Sequence, residues 1–183
     1  IDVAIGVNGT ILTLDESKEL INQYSKNGVL VEQTNFMPLI KDYLATLSSI
    51  PSGLEASSIK TDKNGNIYLA GYGLDDHCGM TYCEYSEYLI EFNSDVSAVL
   101  KKWGMGHKGM AAFGGIDFVA NNGKVYGLMK INYIIGSISH SNYVLEFDTD
   151  GSINTYYLNK FDEVNVSSIA KNEKTGSFLL AAA

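Results

Sequence analysis

Three histidines are the side chains in this sequence best suited to acid–base or metal chemistry: His77, His107 and His140. The first follows two carboxylates, Asp75 and Asp76. Neutral imidazoles beside carboxylates can hold a divalent metal or transfer protons near neutral pH. The sequence leaves two interpretations open, a shared site or three separate solvated histidines, and favours the second. We therefore expect no cofactor, with a divalent metal as the alternative.

Two cysteines follow closely, Cys78 and Cys83, with four residues between them. A disulfide here would close a short loop and contribute about 2–3 kcal/mol at most. The alternative is a metal site that includes His77, but zinc sites usually have a second ligand pair and this sequence has none. We predict the disulfide, which agrees with an oxidising location outside the cell.

Tyrosine is abundant, with 12 residues, and several lie near the same predicted loops. Loop tyrosines make large amphipathic contacts with proteins or sugars. Together with the histidines and aspartates they form the predicted binding set, which is His77, His107, His140, Asp75, Asp76, Tyr82, Tyr85 and Tyr133.

The composition narrows the class of protein and its partners. The chain has 183 residues, of which 45% are hydrophobic, enough for one domain or a piece of a larger one. The net charge of −8 argues against nucleic-acid binding, which needs clustered positive charge. No apolar run approaches the roughly 20 residues of a membrane span.

Several features favour an extracellular or cell-surface location. They are the acidity, the loop cysteines and a first residue, Ile1, that is not methionine. In that location Asn8 and Asn165, which begin Asn-x-Ser/Thr sequences, are candidate glycosylation sites.

Two hairpin patterns alternate along the chain. In the first, a turn ending in glycine separates two apolar runs and recurs about every 55 residues, at Gly9, Gly65, Gly123 and Gly176. In the second, a strand ending in an aromatic residue enters a polar turn, within 21–29, 89–97 and 144–152. The alternation predicts four antiparallel strands per repeat.

The segments DKNGNIYLAG (62–71) and YVLEFD (143–148) resemble blades of the NHL and SMP-30 β-propeller families, without pointing to one of them. The resemblance implies an all-β fold, a partial β-propeller of about three and a half four-stranded blades. It would be part of a larger propeller or be completed by another chain. The expected blades are 1–36, 55–104, 115–160 and an incomplete 166–183. A sandwich of four hairpins is the alternative.

One segment departs from the strand pattern. Residues 35–47 carry apolar side chains at helical spacing, and Pro38 suits a first helical turn. We predict a short helix that packs on the edge of the propeller.

The resemblance also implies that short turns and long connections lie on opposite faces. The predicted long loops are 35–56, 73–87, 104–115 and 130–142, and loops on a rigid scaffold often carry function. We therefore expect a secreted or surface scaffold that binds a protein or glycan through the long-loop face. One alternative is a hydrolase or lyase with a His/carboxylate site there; another is a structural subunit assembled by strand complementation.

A further set of polar residues recurs in the second hairpin pattern. Gln23, Glu91 and Glu146 occupy the same position in its three copies. Because a catalytic pair has no need to repeat, we interpret these residues as structural.

Overall fold

The computed structural model describes residues 2–47, 51–75, 84–108, 110–119, 123–133, 141–158, 166–172 and 174–182. These residues form an all-β fold with four antiparallel sheets and one helix. The prediction of an all-β chain is confirmed. No helix in this part of the chain is long and apolar enough to cross a membrane.

Each sheet is a meander in which consecutive strands pair. Sheet 1 contains β1 (Asp2–Ile5), β2 (Ile11–Asp15), β3 (Leu20–Tyr24) and β4 (Leu30–Asn35). Sheet 2 contains β5 (Pro51–Thr61), β6 (Ile67–Asp75), β7 (Glu84–Phe92) and β8 (Val99–Lys108). Sheet 3 contains β9 (Met110–Val119), β10 (Val125–Tyr133), β11 (Ser141–Phe147) and β12 (Ile153–Tyr157). Sheet 4 contains β13 (Val166–Lys171) and β14 (Phe178–Ala182).

The predicted turn glycines lie in turns, as expected. Glycines 9, 28, 65, 123, 151 and 176 all have φ between +72° and +93°, the left-handed region that favours glycine. Gly65 also faces a close neighbour, because an added Cβ would lie 3.0 Å from Cγ2 of Val7, in the turn between β1 and β2. A side chain at this position would therefore meet both backbone strain and the adjoining sheet.

The sheets stack in chain order with an apolar layer between successive members. The first layer joins sheets 1 and 2 through residues such as Leu12 and Ile90. The second joins sheets 2 and 3 around Trp103 and Phe147, whose rings meet edge to face at 6.3 Å. The third joins sheets 3 and 4 around Tyr126. Sheets 2 and 3 are thus covered on both faces, which explains why their central strands carry consecutive buried residues, as at 67–70 and 125–129.

First strands of neighbouring sheets also bond directly. An Asp2 carboxylate oxygen in β1 accepts the Ile59 backbone N–H of β5 at 2.9 Å and lies 3.3 Å from Lys60 Nζ. Thr61 Oγ1 donates to the Ile5 carbonyl at 2.7 Å. These polar contacts fix the position of sheet 2 relative to sheet 1, because hydrogen bonds are directional and apolar packing is not.

The predicted helix is confirmed as α1 (Met37–Leu47). The Asn35 side-chain oxygen accepts the Met37 N–H at 2.9 Å, which satisfies one of the free donors at the helix start. Ile40 is fully buried in the first apolar layer, together with Phe36. The helix therefore packs against the sheets, as its periodicity predicted.

The predicted long loops are shorter in the structure. β6 extends to Asp75, β8 reaches Lys108 and β10 reaches Tyr133, so much of 73–87, 104–115 and 130–142 is strand. Gly104 and Gly106 fall in the predicted loop 104–115, yet both pair with β7. Backbone pairing with a neighbouring strand outweighed the low strand propensity of glycine.

Candidate functional site

The strand directions divide the ends of the sheets into two edges. Short turns such as 62–66, 93–98 and 148–152 form the short-turn edge. At the opposite end of sheets 2 and 3, β6, β8 and β10 end and β7, β9 and β11 begin. We call these opposite strand ends the long-connection edge.

Three members of the predicted binding set lie at the long-connection edge of sheet 2. Asp75 is the last residue of β6, and Leu74 beside it pairs with Tyr85 of β7. Tyr85 in turn pairs with His107 of β8. Paired residues in antiparallel strands have Cα atoms about 4.5–5.5 Å apart. The register therefore places Tyr85 and His107 directly opposite each other at one strand end, with Asp75 at the same end but at the alternate position of β6.

Tyr133 extends this edge to sheet 3. It is the last residue of β10 and pairs with Met110, the first residue of β9. A single residue separates Met110 from Lys108, where β8 ends. The edges of sheets 2 and 3 are therefore neighbours along the chain. All four of these residues lie in strands, which corrects their assignment to loops.

The other predicted site residues lie outside the described residues. They are Asp76, His77, Cys78, Tyr82, Cys83, His140 and Asn165. The predicted disulfide and the convergence of the three histidines therefore stay predictions. Within the described residues, no group of three or more His, Cys, Asp or Glu side chains could hold a metal ion.

An aromatic pair at the same end of sheet 3 was missed by sequence reasoning. Tyr143 of β11 and Tyr157 of β12 are cross-strand partners, with ring centroids 5.1 Å apart and planes at 31°. Tyr157 is 50% exposed, whereas Tyr143 packs against the second apolar layer. Only the strand register shows that Tyr143 supports an exposed ring.

A buried carboxylate network occupies the opposite, short-turn edge of sheet 3. Lys124 Nζ lies 2.8 Å from Glu146 Oε1 and 2.6 Å from Asp148 Oδ2. Lys171 of sheet 4 donates to the Tyr126 hydroxyl at 2.5 Å and lies 3.8 Å from Glu146 Oε2. The network therefore joins sheet 3 to sheet 4 by charge as well as by packing.

The surroundings of Glu146 determine its protonation. Burial raises the pKa of its carboxyl, but hydrogen bonds from Lys124 and Tyr126 and the Lys124 charge outweigh burial and lower it. Burial and the hydrogen bond to Glu146 raise the pKa of Tyr126. Glu146 is thus held ionised and Tyr126 neutral at neutral pH, a stable pairing with no poised proton donor.

The same arrangement recurs in sheet 2, which supports the structural interpretation. Glu91 is the register partner of Tyr68, as Glu146 is of Tyr126. Asn66 Nδ2 donates to Glu91 Oε1 at 3.0 Å, in the place where sheet 3 uses Lys124. In both sheets the tyrosine hydroxyl donates a hydrogen bond to the carboxylate. The hydroxyl therefore keeps a hydrogen-bond partner although it is buried.

Sheet 1 departs from this arrangement at one residue. Gln23 pairs with Leu12, which has no hydroxyl to offer. The Gln23 side chain is buried, and its Nε2 is the buried side-chain nitrogen or oxygen atom without a hydrogen-bond partner in the described part of the chain. An unsatisfied buried donor costs about 1–3 kcal/mol.

Asn8, the described member of the two candidate glycosylation sites, is exposed in the turn between β1 and β2. It therefore lies on the short-turn edge, away from the long-connection edge. Glycosylation at this position stays a prediction.

These features define an all-β repeat protein of stacked antiparallel sheets, with buried carboxylate–tyrosine pairs at one edge and the candidate residues at the other. Neither a protein-family model nor a curated protein sequence matches the chain.

Solved structures share its fold. A protein of unknown function from Bacteroides caccae matches with a TM-score of 0.52 and 18% identity over 98% of this chain. Cobalt-substituted Synechocystis apocarotenoid oxygenase matches with a TM-score of 0.53 and 10% identity over 99%. The chain spans 52% of the first protein and 38% of the second. At these identities the similarity shows the fold alone.

Proposed function

We propose that the four sheets are blades of an open β-propeller that acts as an extracellular or surface scaffold and binds a partner, a glycan or a protein, at the long-connection edge. The observation that carries the proposal is the register that pairs Tyr85 with His107 at the long-connection edge, where β6 ends at Asp75. The stacking of sheets in chain order supports the propeller arrangement. A structure whose first strands did not surround a common axis would contradict it.

The aromatic pair favours a glycan among the possible partners. Tyr157 presents a half-exposed ring that Tyr143 holds in place from one side. A rigid, amphipathic ring can contact the apolar face of a sugar while its hydroxyl bonds to water or to a sugar hydroxyl. The pair lies at the same end of sheet 3 as Tyr133.

The test is binding of the purified chain to arrayed oligosaccharides, compared among three variants. We expect Tyr157→Ala and His107→Ala to lose the signal at least tenfold, about 1.4 kcal/mol. Lys26→Ala, an exposed change on the short-turn edge, should keep it. Binding that survives both edge variants would contradict the assignment of the edge. Absence of binding to every sugar would contradict the glycan proposal and leave a protein as the partner to test, by chemical crosslinking through the same edge.

A metal-dependent enzyme is the second candidate. His107 lies at the long-connection edge, and one solved structure of the same fold is a cobalt-substituted oxygenase. In this hypothesis His77, His107 and His140 hold a divalent ion with Asp75 or Asp76. Titration with Co²⁺ tests it: a visible absorption band that is absent in His107→Ala would support the metal site, and an unchanged spectrum would eliminate it.

A further inference from the structure

Four asparagines in this sequence are each followed directly by glycine, at positions 8, 27, 64 and 122. In such a pair the glycine nitrogen can attack the asparagine side-chain carbonyl, because glycine has no Cβ to obstruct the approach. Asn8, Asn27 and Asn64 belong to the described residues and are exposed, whereas Asn122 lies outside them. Since the three described pairs carry the same reacting groups, a difference in their reactivity must come from the fold.

In two of the three turns the glycine N–H is engaged in a hydrogen bond. Gly28 donates to the Ser25 carbonyl at 2.9 Å, and Gly65 donates to the Asp62 carbonyl at 3.1 Å. The attacking nitrogen must lose its proton and turn towards the asparagine side chain. A donated hydrogen bond opposes both changes, so the turns at Gly28 and Gly65 protect their asparagines.

The turn at Asn8 is closed in a different way. Asn8 and Gly9 are its two central residues, with φ of +62° and +76°. The next residue closes it, because the Thr10 N–H and hydroxyl both donate to the Val7 carbonyl, at 3.4 and 3.2 Å. The Gly9 N–H makes no hydrogen bond of normal geometry to any described residue. Gly9 is also exposed to water, whereas Gly65 is buried.

We propose that Asn8 is a site of spontaneous covalent modification, at which the Gly9 nitrogen attacks the Asn8 side chain in the folded protein. A bond forms between the Gly9 nitrogen and Asn8 Cγ, and the bond from Cγ to Nδ2 breaks. Nδ2 leaves as ammonia with the proton of the Gly9 N–H. One water molecule then opens the resulting cyclic imide at either carbonyl, which leaves aspartate or isoaspartate at this position.

The reaction changes a turn that contacts the next sheet. Val7 of this turn packs so closely on Gly65 that an added Cβ there would lie 3.0 Å from Val7 Cγ2. Isoaspartate places an additional methylene carbon in the main chain between Val7 and Gly9. The bond from the Thr10 N–H to the Val7 carbonyl then cannot keep its geometry. We therefore expect the isoaspartate form to unfold at a lower urea concentration than the native chain.

Glycosylation and this reaction compete for one atom of Asn8. Nδ2 carries the sugar in the first and leaves as ammonia in the second. A glycosylated chain would therefore be protected, and a chain that has reacted can no longer accept a glycan. The proposal does not depend on ligand binding, because Asn8 lies on the short-turn edge.

The test is incubation of the folded chain at mildly alkaline pH, followed by cleavage after lysine and mass spectrometry. Cleavage places the three asparagines on separate peptides, 1–18, 27–41 and 64–101. Incubation in heavy-oxygen water labels each reacted peptide through the water that opens the imide. We expect Asn8 to react about tenfold faster than Asn27 and Asn64, the effect on a rate constant of one ordinary hydrogen bond retained by the slower sites.

The chain unfolded in urea is the control, because only the fold separates the three sites. There the three rates should be similar. Asn8→Gln is the matched variant, since its longer side chain forms a larger ring less readily, and peptide 1–18 should then stay unmodified. Asn27 or Asn64 reacting as fast as Asn8 in the folded chain would overturn the proposal. So would an Asn8 that stays intact while the unfolded chain reacts. Neither result affects the oligosaccharide-binding test.

Discussion

Val96 provides the most informative single substitution in this protein. It lies in the turn between β7 and β8 with φ of +57°, a conformation in which β-branched residues are rare. The equivalent positions in the other two turns of this type are Gly28 and Gly151, as the matching N–H to carbonyl bonds show. Comparison of the repeats would therefore suggest Val96→Gly as a stabilising change. The structure predicts the opposite, because Val96 is fully buried in the first apolar layer.

The opposing effects can be compared in magnitude. Glycine would relieve a left-handed strain of about 1–2 kcal/mol. The substitution would also lose the burial of the valine side chain, which contributes about 1.5–3 kcal/mol. In addition, glycine raises the conformational entropy of the unfolded chain, which lowers the free energy of unfolding by about 0.4–1 kcal/mol. Loss of burial is the largest effect, so we expect Val96→Gly to lower the free energy of unfolding by about 1–2 kcal/mol.

Urea unfolding followed by fluorescence gives a direct measurement. The sequence has one tryptophan, Trp103, which is buried in the second apolar layer and not in the layer of Val96. Gly151→Val is the matched variant, because a Cβ at Gly151 would meet no atom within 4 Å. It should introduce the strain with no compensating contact and lose about 1–2 kcal/mol. A Val96→Gly protein as stable as the native chain would refute the reasoning.

Three further predictions concern polar groups. Gln23→Met should raise the free energy of unfolding by about 1 kcal/mol, because it removes the unpartnered buried amide; a loss in a urea titration would contradict this. Glu146→Gln should cost about 1–3 kcal/mol at pH 7 through the lost pairing with Lys124. Since folding lowers the pKa of Glu146, this stabilisation is complete above the ordinary value of 4.5 and lost as pH falls through the lowered one, so the two proteins should become equally stable once the pH is below that lowered pKa. Trp103→Phe should cost about 1 kcal/mol, because it removes the 3.0 Å bond from Nε1 to the Asp148 carbonyl; thermal unfolding followed by circular dichroism measures it.

Hairpins and turns were predictable from sequence because their signals are local. An Asn-Gly pair such as Asn64-Gly65 needs only its own backbone preference to form a turn, and the helical spacing that ends at Leu47 is equally self-contained. Strand ends were not predictable in the same way. Gly104 and Gly106 continue β8 because β7 pairs with them, and no property of the two glycines announces that partner.

The candidate site was predictable in part. The sequence grouped Asp75, Tyr85, His107 and Tyr133 by their nearness to presumed loops, and the register does bring the first three to one edge. Tyr157 was missed because its importance comes from a cross-strand neighbour fourteen residues earlier, Tyr143. Pairings at that separation depend on which strands become adjacent, and periodicity within a single strand does not contain this information.

Repetition itself separates structural residues from candidate functional ones in this fold. A feature that stabilises one sheet against the next is useful in each sheet, so it recurs at the same register position, as the Tyr68–Glu91 and Tyr126–Glu146 pairs do. Where the recurrence fails, as at Gln23 opposite Leu12, the result is an unsatisfied donor rather than a new activity. His107 has no such counterpart, because no histidine lies at the matching end of β12 or β4. The packing of one sheet on the next therefore does not account for His107. For this reason we propose a ligand at the long-connection edge and not at the Glu146 network on the short-turn edge.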